Sequence, residues 1–329
     1  MLYNKKQKGI FMELYRTYSN YLKTKYKEKV YKLPIAIPVT CPNRDGRLGS
    51  GGCIFCGSIG ADYEINAPGM GITEQINRSI SHIGKKYKAK KFIAYFLNFT
   101  ATYTTLANFR SWAEEAAGHP DIVGLSVSTR PDCIHEKYLD ILKDVQDKYG
   151  IDVTIELGLQ SANPHTLIKI GRGHTVAEFI DASLRIGSYH FGLCTHMIAD
   201  LPWDDRIDIE EMAKLVSVLP VTEIKIHSLY IVKDTILASM YEKGQFRLLP
   251  QQEYAERVIL ILSLIRPDIA VQRIVGRASD RTISIHEGRP WWEVKEYIET
   301  MMKKRNIVQG SACHYLNGSA VRHFTEEDK

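Results

Sequence analysis

The sequence has no apolar run that approaches the ~20 residues needed to cross a bilayer; the best candidate, Val258 to Ile265, is too short. Lysines in Met1 to Gly9 are followed by no apolar stretch, so no secretory signal is expected. Only 6 of the 329 residues are Cys, which excludes a disulfide-dense secreted scaffold. Linkers rich in Gly, Ser or Pro and internal repeats are also lacking. These absences predict one compact cytoplasmic protein with no membrane partner.

Positive charge is concentrated at the start of the chain. The net charge is +5, but residues 1–32 carry +7, which leaves −2 for the remainder. One interpretation is a basic amphipathic helix that packs on the body through Tyr15, Tyr18 and Leu22 while its lysines face water. The other is a segment that follows the phosphate backbone of an RNA. The first is favoured, because a nucleic-acid enzyme usually spreads positive charge around its site.

Apolar β-branched runs alternate with segments of helical period, which indicates βα units around a parallel sheet. Strands are predicted at Leu33–Val39, Phe92–Leu97, Ile122–Val127, Val153–Leu159, Phe191–Ile198 and Glu223–Ile231. Helices are predicted near Thr73–Tyr87, Thr105–Ala117, His135–Tyr149, Thr175–Ile186 and Asp208–Leu219. The predicted fold class is α/β, an incomplete (β/α)6 barrel over residues 33–235. Residues 236–329 are expected to form a C-terminal α/β extension, with helices at Gln251–Ile265 and Trp292–Arg305 and a strand at Ile269–Ile274.

Three cysteines, Cys41, Cys53 and Cys56, lie in a loop rich in Gly and Pro directly after the first predicted strand. In a cytoplasmic protein, such a group is a metal site or a redox pair more often than a disulfide. Zinc usually takes four protein ligands, and no fourth is found at zinc-finger spacing. Three thiolates with one open position suit an iron–sulfur cluster. Zinc and a packing or redox role stay open as alternatives, and Cys133, Cys194 and Cys313 are expected to be small buried hydrophobes.

The loop resembles the radical S-adenosylmethionine (SAM) superfamily, with Phe55 as the aromatic residue before the last cysteine. Eleven residues separate Cys41 from Cys53, where the superfamily usually has three. The longer loop is similar to that of the YhcC-like radical SAM family. Further motifs carry the resemblance over most of the chain: Lys29-Val-Tyr-Lys-Leu-Pro, Ser128-Thr-Arg-Pro-Asp-Cys, Glu156-Leu-Gly-Leu-Gln-Ser, Gly171-Arg-Gly-His, His196-Met-Ile, Lys225-Ile-His and Arg257 to Arg273.

The resemblance implies a [4Fe–4S] cluster on Cys41, Cys53 and Cys56, with SAM on the fourth iron. It also implies a set of SAM contacts near the strand ends: Phe55, Asn98, Ser128, Arg130, Gln160, Arg172 and His196. Asn98 matches weakly, because the customary Gly-Gly-Glu is missing. Arg172 would meet the SAM carboxylate and His196 the ribose, while Glu156 would support these residues. The alternatives are ion-paired surface arginines and a core histidine.

The chain departs from the family pattern where substrate is expected. The family has Gly-Leu-Pro-Gly where this chain reads Asp200-Leu-Pro-Trp, and Arg-Leu-Thr-Gly-Asp where it reads Arg273-Ile-Val-Gly-Arg. A carboxylate at a strand end costs desolvation unless it meets a cation or a hydroxyl there. A polar, cationic small substrate is therefore expected to contact Asp200, His227, Tyr230 and Arg273, with Asp62 and Tyr63 completing the pocket.

A subset of the family acts as queuine lyases, which cut a secondary-amine C–N bond and release the 7-deazaguanine base preQ1. The resemblance to that subset implies a small nucleobase substrate and a flavodoxin or ferredoxin as electron donor. Modification of a tRNA wobble uridine is the alternative, supported mainly by the basic start of the chain. A zinc-containing RNA-binding scaffold is the non-enzymatic alternative. No catalytic side chain is singled out.

Overall fold

The computed structural model describes residues 13–57, 69–276, 282–284 and 290–325. Its strands are β1 (Val30–Ile35), β2 (Lys91–Phe96), β3 (Ile122–Thr129), β4 (Asp152–Gln160), β5 (Gly192–Ile198), β6 (Glu223–His227), β7 (Tyr230–Val232), β8 (Ala270–Arg273) and β9 (Thr282–Ser284). Its α-helices are α1 (Tyr18–Tyr26), α2 (Ile72–Tyr87), α3 (Leu106–Ala117), α4 (Glu136–Tyr149), α5 (Pro164–Lys169), α6 (Val176–Ser188), α7 (Arg206–Val218), α8 (Ile236–Glu242), α9 (Gln251–Leu264), α10 (Trp291–Lys304) and α11 (Arg322–Thr325). Short 3₁₀ turns cover Pro131–Cys133 and Ser319–Val321. No helix among these described residues is both long and apolar enough to cross a membrane.

Seven strands form one parallel sheet in the order β1-β2-β3-β4-β5-β6-β8. Each of the strands β1 to β5 pairs with the next one along the chain, and β8 from the predicted extension adds a seventh strand beside β6. Helices cover the outer face, which explains why apolar residues occupy both faces of strands such as β2. The predicted α/β fold, an incomplete parallel barrel with a C-terminal extension, is confirmed.

Two predicted strands differ most from the observed ones, and a side-chain contact accounts for each difference. Strand β1 ends at Ile35 rather than Val39, because the side-chain amide of Asn98 bonds both the N–H and the C=O of Ile37 in place of a neighbouring strand. The strand predicted over Glu223–Ile231 is divided into β6 and β7. The carboxylate of Asp200 accepts the Leu229 N–H at 2.7 Å between them, and β7 pairs antiparallel with β9 instead.

Helix α1 lies across the open side of the barrel. Thr17 accepts the Asn20 N–H as the N-cap, and the helix contacts both edge strands, β1 and β8. The Val271 N–H donates to the Arg16 carbonyl at 2.8 Å, which ties the segment before α1 to β8. Tyr15 and Leu22 are buried, as the packed interpretation of this segment expects, and Tyr18 is half-buried. Residues 1–12 lie outside the described residues, and the domain boundaries stay a prediction.

Candidate active site

The cysteine loop is a folded segment at the carboxyl end of β1. Cys53 is buried, while Cys41 and Cys56 are partly exposed. Gly51 and Gly52 precede Cys53 with φ values of 90° and 93°, a backbone region that favours glycine. The Ile54 N–H donates to the Ile170 carbonyl at 3.1 Å, which fixes the loop to the end of α5. Its position at the carboxyl edge of the sheet is where α/β barrels place their chemistry.

Hydrogen-bond donors surround the sulfur atoms. Asn43 Nδ2 and Arg172 Nη1 each lie 3.5 Å from Cys53 Sγ, and Arg44 Nη1 lies 3.5 Å from Cys56 Sγ. Burial, together with the adjacent Cys53 thiol, raises the pKa of the Cys56 thiol, and Arg44 opposes this effect. Amide and guanidinium donors stabilise negative charge on sulfur, so this set fits a thiolate-bound iron–sulfur cluster.

The spacing of the sulfurs also bears on the kind of metal site. Among the described residues, only Glu156, Cys194 and His196 bring three ligand atoms within 4.8 Å of one another, so the three loop sulfurs are more widely spaced than that. Ligands of a single tetrahedral zinc lie closer together than this limit. Glu156 already pairs with Lys32 and Lys225, whose charges repel a cation from the Glu156 group.

Arg172 connects the cysteine loop to the end of β4. The arginine is buried, its Nη2 donates to the Gly158 carbonyl at 2.9 Å, and its Nε lies 3.1 Å from His174 Nε2. A Cβ on Gly158 would lie 2.8 Å from Arg172 Nη2 and 2.7 Å from Gln160 Nε2, so only glycine leaves room for both side chains. Gln160 has a φ of 72°, an uncommon conformation for a non-glycine residue, at the last position of β4.

Arg130 is buried at the end of β3, just after Ser128. Its guanidinium forms a fork with Asp132, through Nε to Oδ1 at 2.9 Å and Nη2 to Oδ2 at 2.8 Å. The third nitrogen, Nη1, is buried and has no hydrogen-bond partner within the described part of the chain. Leaving such a donor unsatisfied is costly, so this nitrogen is suited to a bound ligand.

The lumen of the barrel contains a polar cluster centred on Glu156 of β4. Its carboxylate accepts hydrogen bonds from side chains on five other strands: Lys32, Tyr95, Ser126, His196 and Lys225. From His196 the hydrogen bonds continue to His227 at the end of β6 and then to Arg273 at the end of β8. The cluster therefore extends from the middle of the barrel to the edge that carries the cysteine loop.

Two family models match the chain, one described as the radical SAM superfamily over residues 40–216 and one as the radical SAM C-terminal domain over residues 221–304. The uncharacterized protein YtqA of Bacillus subtilis is 34% identical over 301 residues, which cover 90% of this chain and 92% of YtqA. YhcC of Escherichia coli is 32% identical over 262 residues, which cover 80% of this chain and 83% of YhcC.

The chain belongs to the radical SAM superfamily. Its similarity to YhcC and YtqA places it with the YhcC-like family. A structure of Elp3 from Methanocaldococcus infernus matches with a TM-score of 0.61 at 16% identity, over 85% of this chain and 64% of that one, which bears on the fold alone. As a radical SAM protein, the chain is an enzyme that uses a [4Fe–4S] cluster and SAM. Membership in this superfamily argues against the alternative function as a zinc-containing RNA-binding scaffold.

Six of the seven predicted SAM contacts of this radical SAM enzyme fall into two groups, and Phe55 lies apart from both. Ser128, Arg130, Gln160 and Arg172 lie at the carboxyl ends of β3 and β4 or just beyond, and Arg172 reaches Cys53. Phe55 packs with a separate apolar cluster under α8. Their roles toward SAM stay predictions.

Asn98 and His196 form the second group, because their polar atoms are already engaged. Asn98 binds the backbone of Ile37, and both ring nitrogens of His196 lie against Glu156 and His227. A hydrogen bond from His196 to the SAM ribose would replace one of these contacts. Both contacts with SAM stay predictions.

The predicted substrate residues are divided in a similar way. His227 and Arg273 lie together at the carboxyl edge of the sheet, 2.7 Å apart from Nδ1 to Nη2. Tyr230 is half-buried, with its hydroxyl against the backbone of Gly276. Asp62 and Tyr63 lie outside the described residues.

Asp200 is 0% exposed, and its Oδ1 accepts a backbone N–H, whereas the sequence predicts a cation or a hydroxyl beside this carboxylate. Its Oδ2 has no hydrogen-bond partner among the described residues, so a contact of Asp200 with substrate stays a prediction. Arg257 lies near but donates to the carbonyls of Ala199 and Leu201. Burial raises the pKa of Asp200 to about 7.

Lys32 and Lys225 stand in the sequence motifs without a predicted role, and no motif singles out Asn43, Arg44 or Tyr95. One signal was present in the sequence. Glu156 and Lys225 each lie between two apolar residues inside a predicted strand, and buried charges occur almost only in pairs. A glutamate and a lysine in such positions predict an ion pair in the barrel lumen, whereas Lys32 lies just before the first predicted strand.

Proposed function

We propose that this radical SAM enzyme is a carbon–nitrogen lyase that acts on queuine and releases preQ1. When SAM is bound and the cluster is reduced, the pair supplies a 5′-deoxyadenosyl radical that abstracts a hydrogen atom from the substrate. Cys41, Cys53 and Cys56 hold the cluster, and a flavodoxin or ferredoxin provides the electron. Arg172, Gln160 and Arg130 bind SAM beside the loop.

The observation that carries the proposal is the pair His227–Arg273 at the carboxyl edge of the barrel. Arg273 Nε is buried and has no partner among the described residues, although Nη2 donates to His227. An arginine with a free N–H suits a carbonyl oxygen on a planar heterocycle, as in the recognition of guanine O6 by arginine. The 7-deazaguanine ring of queuine retains that oxygen. This edge also carries the cysteine loop, so a base held here lies on the side where the radical is generated.

The location of the basic surface also favours a small substrate. Exposed lysines of α1, of the last turn of α2 and of the connections before β1 and β2 form this surface: Lys23, Lys25, Lys27, Lys29, Lys86, Lys88 and Lys90. Lys29 lies over the rings of Tyr31 and Tyr87, which joins the two basic segments at one place. Strands β1 and β2 begin there, whereas the cysteines follow the other end of β1. A polyanion on this surface would therefore lie across the barrel from the cluster, which argues against tRNA as the substrate.

The proposal is tested with anaerobically reconstituted protein, SAM and a reductant, offered either free queuine or bulk tRNA. We expect preQ1 from queuine, accompanied by 5′-deoxyadenosine, and no mass change in tRNA. Arg273→Met is expected to raise KM for queuine roughly tenfold, the effect of losing one hydrogen bond to a charged group. Arg247→Met, at an exposed arginine, should behave as the wild type. Absence of preQ1 together with a mass change in tRNA would establish the wobble-uridine alternative instead.

A further inference from the structure

Glu156 is the acceptor for five side chains and is 0% exposed. Lys32 and Ser126 bond Oε1, whereas Tyr95, Lys225 and His196 bond Oε2. Although burial alone would raise it, the two lysines hold the pKa of Glu156 well below its usual range. The carboxylate is therefore ionised at neutral pH, and an ionised carboxylate only accepts hydrogen bonds.

A chain of hydrogen bonds connects Glu156 Oε2 to Arg273, and each of its two end groups can play only one role, acceptor or donor. His196 Nε2 lies 2.6 Å from Glu156 Oε2, and His196 Nδ1 lies 3.2 Å from His227 Nε2. His227 Nδ1 then lies 2.7 Å from Arg273 Nη2. A guanidinium only donates and a carboxylate only accepts, so each imidazole between them must receive on Nδ1 and donate from Nε2. Both histidines are thus neutral, with the proton on Nε2.

The surrounding charges maintain this neutral state. Burial, and after it the positive charge of Lys225, lowers the pKa of His196 to about 4. Burial, Arg273 and His196 lower the pKa of His227 well below its usual value. The titratable and charged groups near the pair are Glu156 on β4, Cys194 on β5, Lys225 on β6 and Arg273 on β8. Lys32 on β1 and Tyr95 on β2 reach the shared carboxylate of Glu156 rather than the imidazoles.

We propose that Glu156 and Lys225 are positioning residues for substrate: through His196 and His227 they hold the guanidinium of Arg273 so that its Nε–H is left for a hydrogen-bond acceptor of the bound base. Nη2 is used by His227, and Nε is the buried donor that the described residues leave unpartnered. The inference rests on the proposed function for the identity of the base. The direction of the hydrogen bonds does not depend on it.

Lys225 and Lys32 provide a matched pair of variants. Each donates to Glu156, but Lys225 bonds the same oxygen as His196, whereas Lys32 bonds the other one. Lys225→Met leaves Glu156 with Lys32 as its counter-ion, so the carboxylate keeps a partner. Lys32→Met leaves Lys225 in place beside His196. Lys225→Arg restores the charge and serves as the conservative variant.

The test is a nitrogen–proton NMR titration of the reconstituted holoenzyme, with ¹⁵N-labelled histidine, an oxidised cluster and no substrate. His196→Gln and His227→Gln assign the two rings. We expect Nε2–H tautomers for both, and no titration of either ring above about pH 5. In Lys225→Met the pKa of His196 is expected to rise from about 4 toward the ordinary value of about 6.5. Lys32→Met and Lys225→Arg should leave it low.

The functional readout is KM for queuine as a function of pH. In Lys225→Met, KM is expected to increase roughly tenfold as the pH falls through the new pKa of His196, because a protonated imidazole can no longer receive from His227. Wild-type protein and Lys32→Met should show no such rise. Any one of three results would overturn the inference. The first is an Nδ1–H tautomer on either histidine, and the second is an equal change in the pKa of His196 in Lys225→Met and Lys32→Met. The third is a pH profile of KM that Lys225→Met leaves unchanged. If wild-type protein forms no preQ1, the proposed function fails, and the tautomers alone then decide the inference.

Discussion

Asp200 is a buried carboxylate that contacts the backbone between β6 and β7. Its Oδ1 accepts the Leu229 N–H, where the chain leaves β6 and turns into β7. Its Oδ2 has no hydrogen-bond partner within the described residues. An ionised carboxylate in such a place is costly to bury, which is why burial raises its pKa to about 7 from an unfolded value of about 3.9.

This raised pKa predicts a pH dependence of stability with a definite sign. Between about pH 4 and pH 7 the folded protein holds a proton on Asp200 that the unfolded chain releases, so the stability that this proton contributes falls as the pH rises. The contribution is fully present below about pH 4 and is lost once the pH has risen through about 7. We expect Asp200→Asn, which keeps an oxygen for Leu229, to remove about 2–4 °C of the decrease in Tm between about pH 6 and pH 8.

The measurement is a series of thermal unfolding curves with Asp147→Asn as the control. Asp147 is exposed and pairs with Lys143, so its replacement should change stability little and leave the pH slope intact. An unchanged slope in Asp200→Asn would show that another group titrates. If Asp200→Asn raises KM for queuine and leaves the pH slope of Tm unchanged, the result would support a contact of Asp200 with substrate.

Single residues also mark the limit of what the sequence could predict. The cysteines, Arg172 and Gln160 stood in motifs, and the structure brings Arg172 to Cys53 and Gln160 to the same strand end. The pairing of Lys225 with Glu156 joins positions 69 residues apart, and no local pattern specifies which strands face each other across a lumen. Such contacts depend on strand register, which the sequence alone did not provide.

At the scale of elements, the presence of a helix or strand was easier to predict from the sequence than the residue at which it ends. Helix caps such as Thr175 with Glu178 are written in the local sequence, since both partners of a capping box lie three residues apart. The end of β1 depends instead on Asn98, which is 61 residues from Ile37. Strand β7 likewise needed β9 as a partner. Boundaries set by distant residues are therefore the ones that the sequence missed.

Helix α1 closes the gap between the two edge strands, so its packing should affect the whole barrel. Leu22 is buried against Val30 and Ile93, whereas Lys23 on the same helix is exposed. We expect Leu22→Ala to lower the free energy of unfolding by about 2–5 kcal/mol, through lost burial and a residual cavity. Lys23→Ala should change it by less than about 0.5 kcal/mol.

Urea unfolding of the two variants provides the comparison. Equal stabilities would mean that the helix is not packed as described. If Leu22→Ala leaves the free energy of unfolding unchanged and Lys23→Ala abolishes RNA binding, the results would support the other interpretation of this basic segment, as a surface that binds RNA.

At the scale of the whole molecule, the two ends of the barrel have different characters. The end where the strands begin carries the exposed lysines and α1, and the end where they finish carries the cysteines, Arg172, His227 and Arg273. The polar cluster around Glu156 lies between them in the lumen. This arrangement places the basic charge and the cysteines at opposite ends of the barrel, as the proposed small-molecule substrate requires.

Cluster binding and SAM cleavage both depend on the three loop cysteines as the ligands of the cluster. Cys133 provides the matched control, because it is a partly buried thiol near Cys41 that lies outside the loop. The decisive measurement is the iron content and the yield of 5′-deoxyadenosine from SAM in Cys53→Ala and Cys133→Ala, both reconstituted anaerobically. We predict about four irons per chain and SAM cleavage in Cys133→Ala, and neither in Cys53→Ala. A Cys53→Ala protein that keeps a full cluster and cleaves SAM at the wild-type rate would contradict the account.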